Sequence, residues 1–141
     1  MCVQLKQKYG LYINGQWRNA SDGRTFETTT PSTGQHLAYC AEATKEDVDD
    51  AVKAAWNAFP AWKKISPIER ADILLKIADR IDANKELLAK VESLDNGKPI
   101  RETMAIDVPY SSDHFRYFAG AIRTEEGSAS VLDGNMLSLI L

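Results

Sequence analysis

Thr44-Lys45-Glu46-Asp47-Val48-Asp49-Asp50-Ala51-Val52 is the stretch at which the chain changes character. The Thr44 side chain can cap a helix. Asp47 follows at the third helical position, where a carboxylate can bond back to the cap backbone. Apolar residues then recur at Val48, Ala51, Val52, Ala55 and Phe59, which places them on one face of a helix. Pro60 is expected to end or kink that helix. Before Thr44 the sequence is turn-rich with short β-prone runs; after it the apolar period is helical. The fold class expected from this switch is α/β: a small N-terminal β-meander, then packed α-helices, then a terminal strand.

The β-meander is read over residues 11–43. Leu11-Tyr12-Ile13 meets Asn14-Gly15 and then Gln16-Trp17-Arg18, and Asn-Gly between β-prone runs is a strong hairpin signal. Ser21-Asp22-Gly23 makes a second turn. Thr25 to Thr30 reads as a strand rich in β-branched residues. Pro31-Ser32-Thr33-Gly34 turns the chain again, and Gln35 to Ala43 reads as a further strand. Such a meander is too small to be stable alone.

Helices are read over residues 44–126. Ser66-Pro67-Ile68-Glu69 is a clean start signal, with a capping Ser, a Pro at the first helical position and a Glu at the third. Ala71, Leu74, Leu75, Ala78 and Ile81 form its expected buried face. Asn84 is expected to cap a third helix carrying Leu87, Leu88, Val91 and Leu94, which stops at Asn96-Gly97 with Pro99 beyond. A further helix is expected from near Asp107, as its cap, to near Thr124, with Pro109 in the first turn. Its apolar stripe is Phe115, Phe118, Ala119 and Ile122, and Gly127 closes it. Ser128 to Gly134 then reads as loop and Asn135 to Leu141 as a strand. The chain stops within an apolar run, and an open strand edge invites pairing with another chain. The sequence is therefore expected to be one piece of something longer.

Composition narrows the function classes. Of 141 residues, 44% are hydrophobic and 26% charged, as in a globular domain, and the formal net charge of -3 argues against a nucleic-acid partner. No run approaches the roughly 18 apolar residues of a membrane span, and the polar start lacks the apolar stretch of a signal peptide. The expected compartment is the cytoplasm.

The chemistry on offer is sparse. Neither Gly-rich phosphate-loop pattern is present. The only histidines, His36 and His114, are far apart and form no metal-ligand spacing. They read as a turn-flanking surface residue and as decoration of the last helix. Cys2 lies in a terminus expected to fray, and Cys40 reads as a small buried hydrophobe. Trp56, Phe59 and Trp62 follow near-helical spacing, which helix packing explains better than ligand stacking. Acidic pairs such as Asp49-Asp50 and Glu125-Glu126 read as solvated charges.

Six stretches, in order over essentially the whole chain, resemble the start of the NAD(P)-dependent aldehyde dehydrogenase superfamily. Tyr12-Ile13-Asn14-Gly15-Gln16-Trp17 is similar to its opening strand. Thr30-Pro31-Ser32-Thr33-Gly34 is similar to its Asn-Pro-Ser-Thr-Gly turn, with Thr30 in place of the commoner Asn. Asp47 to Ala55 resembles a characteristic helix, and Trp62 through Glu69-Arg70 a Trp–Arg spacing. Glu92-Ser93-Leu94-Asp95-Asn96-Gly97-Lys98-Pro99 is the most specific piece. Phe115-Arg116-Tyr117-Phe118-Ala119-Gly120 completes the set. The likeness is to hydrolytic members of the acetaldehyde- and betaine-aldehyde-dehydrogenase type.

The resemblance implies an oxidoreductase that converts an aldehyde to a carboxylic acid with NAD or NADP. In that family a nucleophilic Cys attacks the aldehyde, hydride passes to nicotinamide, a Glu activates water, and donors including an Asn hold the oxyanion. The Asn belongs to a Pro-Trp-Asn stretch expected shortly after Leu141, with the Cys, the Glu and the cofactor segments further on. Cys2 and Cys40 match no catalytic position. The chain is thus expected to be an N-terminal fragment, without catalytic or cofactor-binding residues of its own, inactive alone and with no cofactor bound to it. Residues 1–129 are assigned to the cofactor-binding domain and 130–141 to the start of the oligomerisation segment. Thr28 and Asp107 match positions at which some relatives hold a structural monovalent cation. The partners implied are the remaining segment of the enzyme or other subunits, in a homo-oligomeric parent, with no nucleic acid and no membrane. The alternative is a non-catalytic interaction module that pairs with a full-length subunit through its C-terminal strand. A third reading is an unrelated helical domain with accidental motifs; the family reading requires a β-meander, packed helices and a terminal strand, and a closed four-helix bundle would refute it.

Overall fold

Asn14 and Gly15 both take positive φ, 52° and 78°, and so close a tight hairpin turn that suits the twist of paired strands. In the computed structural model, which describes residues 3–140, that hairpin joins β2 (Leu11–Ile13) to β3 (Gln16–Arg18), with Leu11 opposite Arg18. The readings of Cys2 and of Leu141 lie outside the described residues. β1 (Lys8–Tyr9) precedes the hairpin, and β4 (Thr25–Thr29) and β5 (His36–Ala41) follow it.

These strands do not form one meander, which corrects the expectation for residues 11–43. β5 is the centre of a separate sheet, antiparallel to β4 and parallel to β1, with Lys8 opposite Tyr39 and Tyr9 opposite Cys40. Gly10 lies between the two sheets. A Cβ there would come within 2.5 Å of the Arg18 carbonyl oxygen, so only glycine lets the chain pass this close to β3.

Two helices start as their capping boxes require. α1 (Lys45–Trp62) is capped by Thr44, whose side chain accepts from the Asp47 N–H while the Asp47 carboxylate accepts from the Thr44 N–H. Pro60 does not end it: the helix runs on to Trp62. α2 (Pro67–Ala83) has the same reciprocal pair in Ser66 and Glu69, with Pro67 in the first turn. α3 (Lys85–Asn96) ends at Gly97, in the left-handed conformation at φ 79°. Asn84 makes no side-chain cap to α3; its amide donates instead to the Arg80 carbonyl and finishes α2.

The last helical stretch begins earlier than expected. α4 (Ile100–Glu102) runs through a π-helical turn, Thr103–Asp107, into α5 (Val108–Ala121). The Val108 N–H bonds to the Thr103 carbonyl, five residues back. Pro109 has no N–H for the ordinary ladder and its ring would crowd the carbonyl four residues before it, so widening the turn by one residue relieves both problems. Asp107 is therefore helical (φ -64°, ψ -52°) and is not a side-chain cap. The helix ends at Ala121, a few residues before the expected end near Thr124.

Ser128 to Leu132, expected to be loop, is β6, and it pairs antiparallel with β7 (Met136–Ile140). Asp133 and Gly134, at φ 49° and 71°, make the turn. The architecture is thus mixed α/β, with strands at the start, helices in the middle and a hairpin at the end.

The main helical contact is α2 against α5. Ala71 and Ala78 on α2 and Val108, Ser112 and Ala119 on α5 are buried. Of the faces expected to be buried, Leu75, Leu87, Leu88 and Phe118 are exposed, whereas Leu74, Ile81, Val91, Leu94, Phe115 and Ile122 are half-buried. Among the described residues the buried hydrophobic ones are six alanines and Val108, and the largest fully buried side chains are Thr103 and Asp47. The chain exposes 10678 Å². A folded monomer of 15.7 kDa is expected to expose about 7,300 Å². Some 3,400 Å² more than usual, polar and apolar together, thus faces solvent.

Candidate functional site

Three polar clusters organise the described residues. The first joins the β2–β3 hairpin to the start of α1. Asp47 is 2% exposed. Its carboxylate accepts from the Thr44 N–H (2.9 Å), the Ser21 N–H (3.0 Å), the Thr44 and Ser21 hydroxyls (3.0 and 3.3 Å) and Arg18 (3.2 Å). The backbone N–H donors of Thr44 and Ser21 favour its ionised form most, outweigh its desolvation, and hold its pKa down at about 2. Arg18 also reaches Asp50, at 3.2 Å, one turn further along the helix.

The second cluster surrounds the end of α3 and contains both candidate cation residues. Thr28, on β4, donates its hydroxyl to Asp95 at 3.2 Å. Asp107, at the end of the π turn, faces Lys98, whose Nζ donates to Oδ1 at 2.7 Å and lies 2.6 Å from Oδ2. The hydrogen bond to Asp107 holds the Lys98 ammonium above its ordinary pKa. Each candidate residue thus has its own side-chain partner at the two sides of the Asp95–Lys98 turn. Among the described residues no group of three or more His, Cys, Asp or Glu is placed to hold a metal ion.

The third cluster is buried. Thr103, fully enclosed at 0% exposure, donates its hydroxyl to the Ala89 carbonyl at 3.0 Å. It lies 3.1 Å from the Ile100 carbonyl and 2.9 Å from the Ser93 hydroxyl, and so ties the π turn to α3.

The remaining chemistry-bearing residues are dispersed. Cys40 is half-buried rather than fully buried. His36 opens β5 and pairs with Glu27 at 2.8 Å; His114 is exposed on α5 with its ring nitrogen 2.8 Å from the Tyr110 carbonyl. The acidic residues of Asp49-Asp50 and Glu125-Glu126 are at most half-buried. Trp56, Phe59 and Trp62 were expected to be packed, but all three are exposed, Trp56 by 67%. The most extensive tertiary contact of α1 is with β2, which leaves its aromatic face uncovered. An apolar groove of about 510 Å³ between α2 and α3, lined by Ile73, Ile77, Ile81, Leu87 and Leu88, is likewise open. No helix among the described residues is long and apolar enough to cross a membrane.

Arg18, Lys98 and Thr103 were not singled out from the sequence. Arg18 and Thr103 act on partners far along the chain, which no local pattern announces. Lys98 lies inside the Asn96-Gly97-Lys98-Pro99 stretch, whose specificity was a usable signal.

Comparison with known proteins gives these clusters their context. Residues 17–140 match the family model of the Aldehyde dehydrogenase family. An aldehyde dehydrogenase of Vibrio cholerae is 50% identical over 136 residues, covering 96% of this chain and 27% of that protein. Acetaldehyde dehydrogenase 2 of Cupriavidus necator is 50% identical over 133 residues, covering 94% of this chain and 26% of its own length. In three dimensions, the NAD+ complex of a Bacillus cereus aldehyde dehydrogenase superposes with a TM-score of 0.87 at 37% identity, over 94% of this chain and 27% of that one. The clusters at Asp47, Lys98 and Thr103 are thus held on a scaffold shared with those proteins. The chain belongs to the aldehyde dehydrogenase family and spans about 27% of the length of the curated relatives it matches.

Proposed function

We propose that this chain is the N-terminal scaffold of an oxidoreductase that oxidises an aldehyde to a carboxylic acid with NAD or NADP, and that it turns over no substrate by itself. Residues 1–129 contribute to the cofactor-binding domain and residues 130–141 begin the oligomerisation segment of a homo-oligomeric parent. The observation that carries this reading is the family match over residues 17–140 on a chain that leaves its large apolar side chains at the surface. What it offers is structure: caps, a π turn and helix faces.

The chemistry of the reaction class supports the same view. Thioester formation and hydrolysis need a nucleophilic thiol, a base and oxyanion donors converging on one carbon. Cys40 is half-buried in the central strand of its sheet; His36, which opens the same strand, pairs with Glu27, and His114 lies on α5 against the Tyr110 carbonyl. The nicotinamide cofactor supplies the hydride acceptor when bound; on this reading the residues that hold it belong to the part of the parent that follows Leu141. Calorimetric titration of the chain with NAD+ and with NADP+ tests this. No saturable heat is expected, and stoichiometric binding would overturn the scaffold reading.

Thr28 and Asp107 remain the proposed side chains for a structural monovalent cation. Lys98 competes for that site, because its ammonium already neutralises Asp107. A potassium-specific rise in melting temperature, absent with tetramethylammonium at equal ionic strength, is the expected sign; equal effects of the two salts would remove the assignment. The proposed compartment is the cytoplasm.

A second reading is favoured by one observation. Every residue of β6 and β7 is exposed, and a lone two-stranded hairpin is marginal in water. The hairpin suits a non-catalytic module that pairs with a full-length subunit through its terminal strand. Co-purification with a full-length relative is the expected result; a chain that stays monomeric and ignores such a relative would exclude this role.

A further inference from the structure

We propose that the Asn14-Gly15 turn is a site of self-catalysed modification, at which the Asn14 side-chain amide is lost and part of the product carries its backbone through the side chain. The step needs no cofactor and no partner protein, so it stands apart from the proposed function.

The chain contains two Asn-Gly pairs, Asn14-Gly15 and Asn96-Gly97. In such a pair the glycine nitrogen can attack the Asn Cγ, because no Cβ shields the approach. At the first pair the Gly15 N–Cγ bond forms and the Cγ–Nδ2 bond breaks. The Gly15 amide proton leaves with Nδ2 as ammonia. Water then opens the five-membered imide that results. Attack at Cγ leaves an aspartyl residue; attack at the Asn14 main-chain carbonyl leaves a β-linked isoaspartyl residue. Nothing is oxidised or reduced, and solvent water is the sole co-reactant.

The fold treats the two pairs differently. At the end of α3 every reacting group of the second pair is engaged. The Gly97 N–H donates to the Ser93 carbonyl at 3.1 Å, Asn96 Oδ1 accepts from the Lys98 N–H at 2.8 Å, and Asn96 Nδ2 donates to Glu92 Oε1 at 3.4 Å. Asn14 and Gly15 are exposed at the tip of the β2–β3 hairpin. Among the described residues neither the Asn14 side chain nor the Gly15 N–H has a hydrogen-bond partner. The space beside Gly15 is open, since a Cβ there would meet nothing within 4 Å. Ring closure requires the Asn to swing out of its resting backbone geometry. β2 and β3 have 3 residues each, and so short a pair opens locally at little cost. Asn96 would have to unwind the last turn of a 12-residue helix.

The product reaches the rest of the fold. An isoaspartyl link adds a backbone carbon inside a two-residue turn and so disturbs the pairing of Ile13 with Gln16. Arg18 lies two residues further along β3 and holds Asp47 and Asp50. Conversion therefore loosens the latch between the hairpin and α1.

The test is timed incubation of the whole chain at neutral and mildly alkaline pH in oxygen-18 water, followed by trypsin digestion and mass spectrometry. Peptides 9–18 and 91–101 each carry one Asn-Gly pair. In the folded chain Asn14 should lose its amide at least about tenfold faster than Asn96, a barrier difference of about 1.4 kcal/mol. The rate should rise with pH, because the attacking nitrogen must shed its proton. Each product should carry the oxygen label, with the β-linked form present beside the aspartyl one. In urea the gap between the two sites should close. The aged chain should melt lower than the fresh one, whereas Asn14→Gly, which suits the positive φ of the turn, should keep its melting temperature through the same incubation. Equal or faster loss at Asn96 in the folded chain, an aspartyl product alone, or a gap that persists in urea would each overturn the site. A converted chain that melts as before would overturn its coupling to the latch.

Discussion

Arg18 and Asp47, 29 residues apart, meet at 3.2 Å and tie a two-stranded hairpin to the first turn of a helix. Asp47 is both the capping-box acid of α1 and the anchor for Ser21. Replacing Thr44 with Ala should lower stability by about 1 kcal/mol, the usual cost of losing an N-cap side chain. Asp47→Asn should cost more than Asp49→Asn, because the latter exposed side chain pairs only with Lys45. Urea unfolding of the three variants checks the order, and equal midpoints for the two Asn variants would contradict it.

Acid stability follows from the same carboxylate. Asp47 titrates at about 2 in the folded chain against an ordinary value of 3.8. The unfolded chain therefore binds the proton first as pH falls, and the contribution of Asp47, complete above that ordinary value, is lost between about pH 4 and pH 2. Glu69, lowered by the Ser66 N–H and hydroxyl, acts in the same direction. Melting temperature should fall through this window for the native chain and fall less steeply for Asp47→Asn.

Thr103 fixes the π turn from within the core. Thr103→Val keeps the shape but takes the hydroxyl donor from the Ala89 carbonyl and the partner from the Ser93 hydroxyl. The expected loss is about 1–3 kcal/mol. Hydrogen exchange should localise the change to α3 and the Thr103–Asp107 turn; a neutral substitution would mean that these groups find other partners.

Gly97 ends α3 at φ 79°, and a Cβ there would lie 3.0 Å from the Pro31 ring. Gly97→Ala should cost about 1–2 kcal/mol for the left-handed backbone alone. Gly120→Ala, helical and with nothing within 4 Å of the added methyl, should instead be neutral or stabilising by up to about 1 kcal/mol. Thermal melts of the pair give the comparison directly.

The elements that could be read from the sequence are those fixed by neighbours. Thr44 with Asp47 and Ser66 with Glu69 are three residues apart, and both helix starts lie where they predict. Asn14-Gly15 gave the first hairpin. Asp133-Gly134 carries the same signal and closes the β6–β7 hairpin where a loop is expected. What escaped depends on distance. The pairing of Lys8 with Tyr39 and the approach of Gly10 to Arg18 leave no local trace. Asp107 looked like a cap because Pro109 suggested a helix start; the chain kept its helix and widened the turn instead. Periodicity found the apolar face of α1 but is silent on what lies against it, so Trp56 was assigned to a core that the described residues do not supply. The candidate site was legible to the same degree: Thr28 and Asp107 came from resemblance, and their actual partners, Asp95 and Lys98, required the fold.

The most direct test of the central claim is the formation of reduced nicotinamide by the purified chain with acetaldehyde and NAD+ or NADP+. The account predicts no signal above a chain-free control at any protein concentration. Steady turnover proportional to the chain, and abolished by replacing Cys40 with Ser, would contradict it.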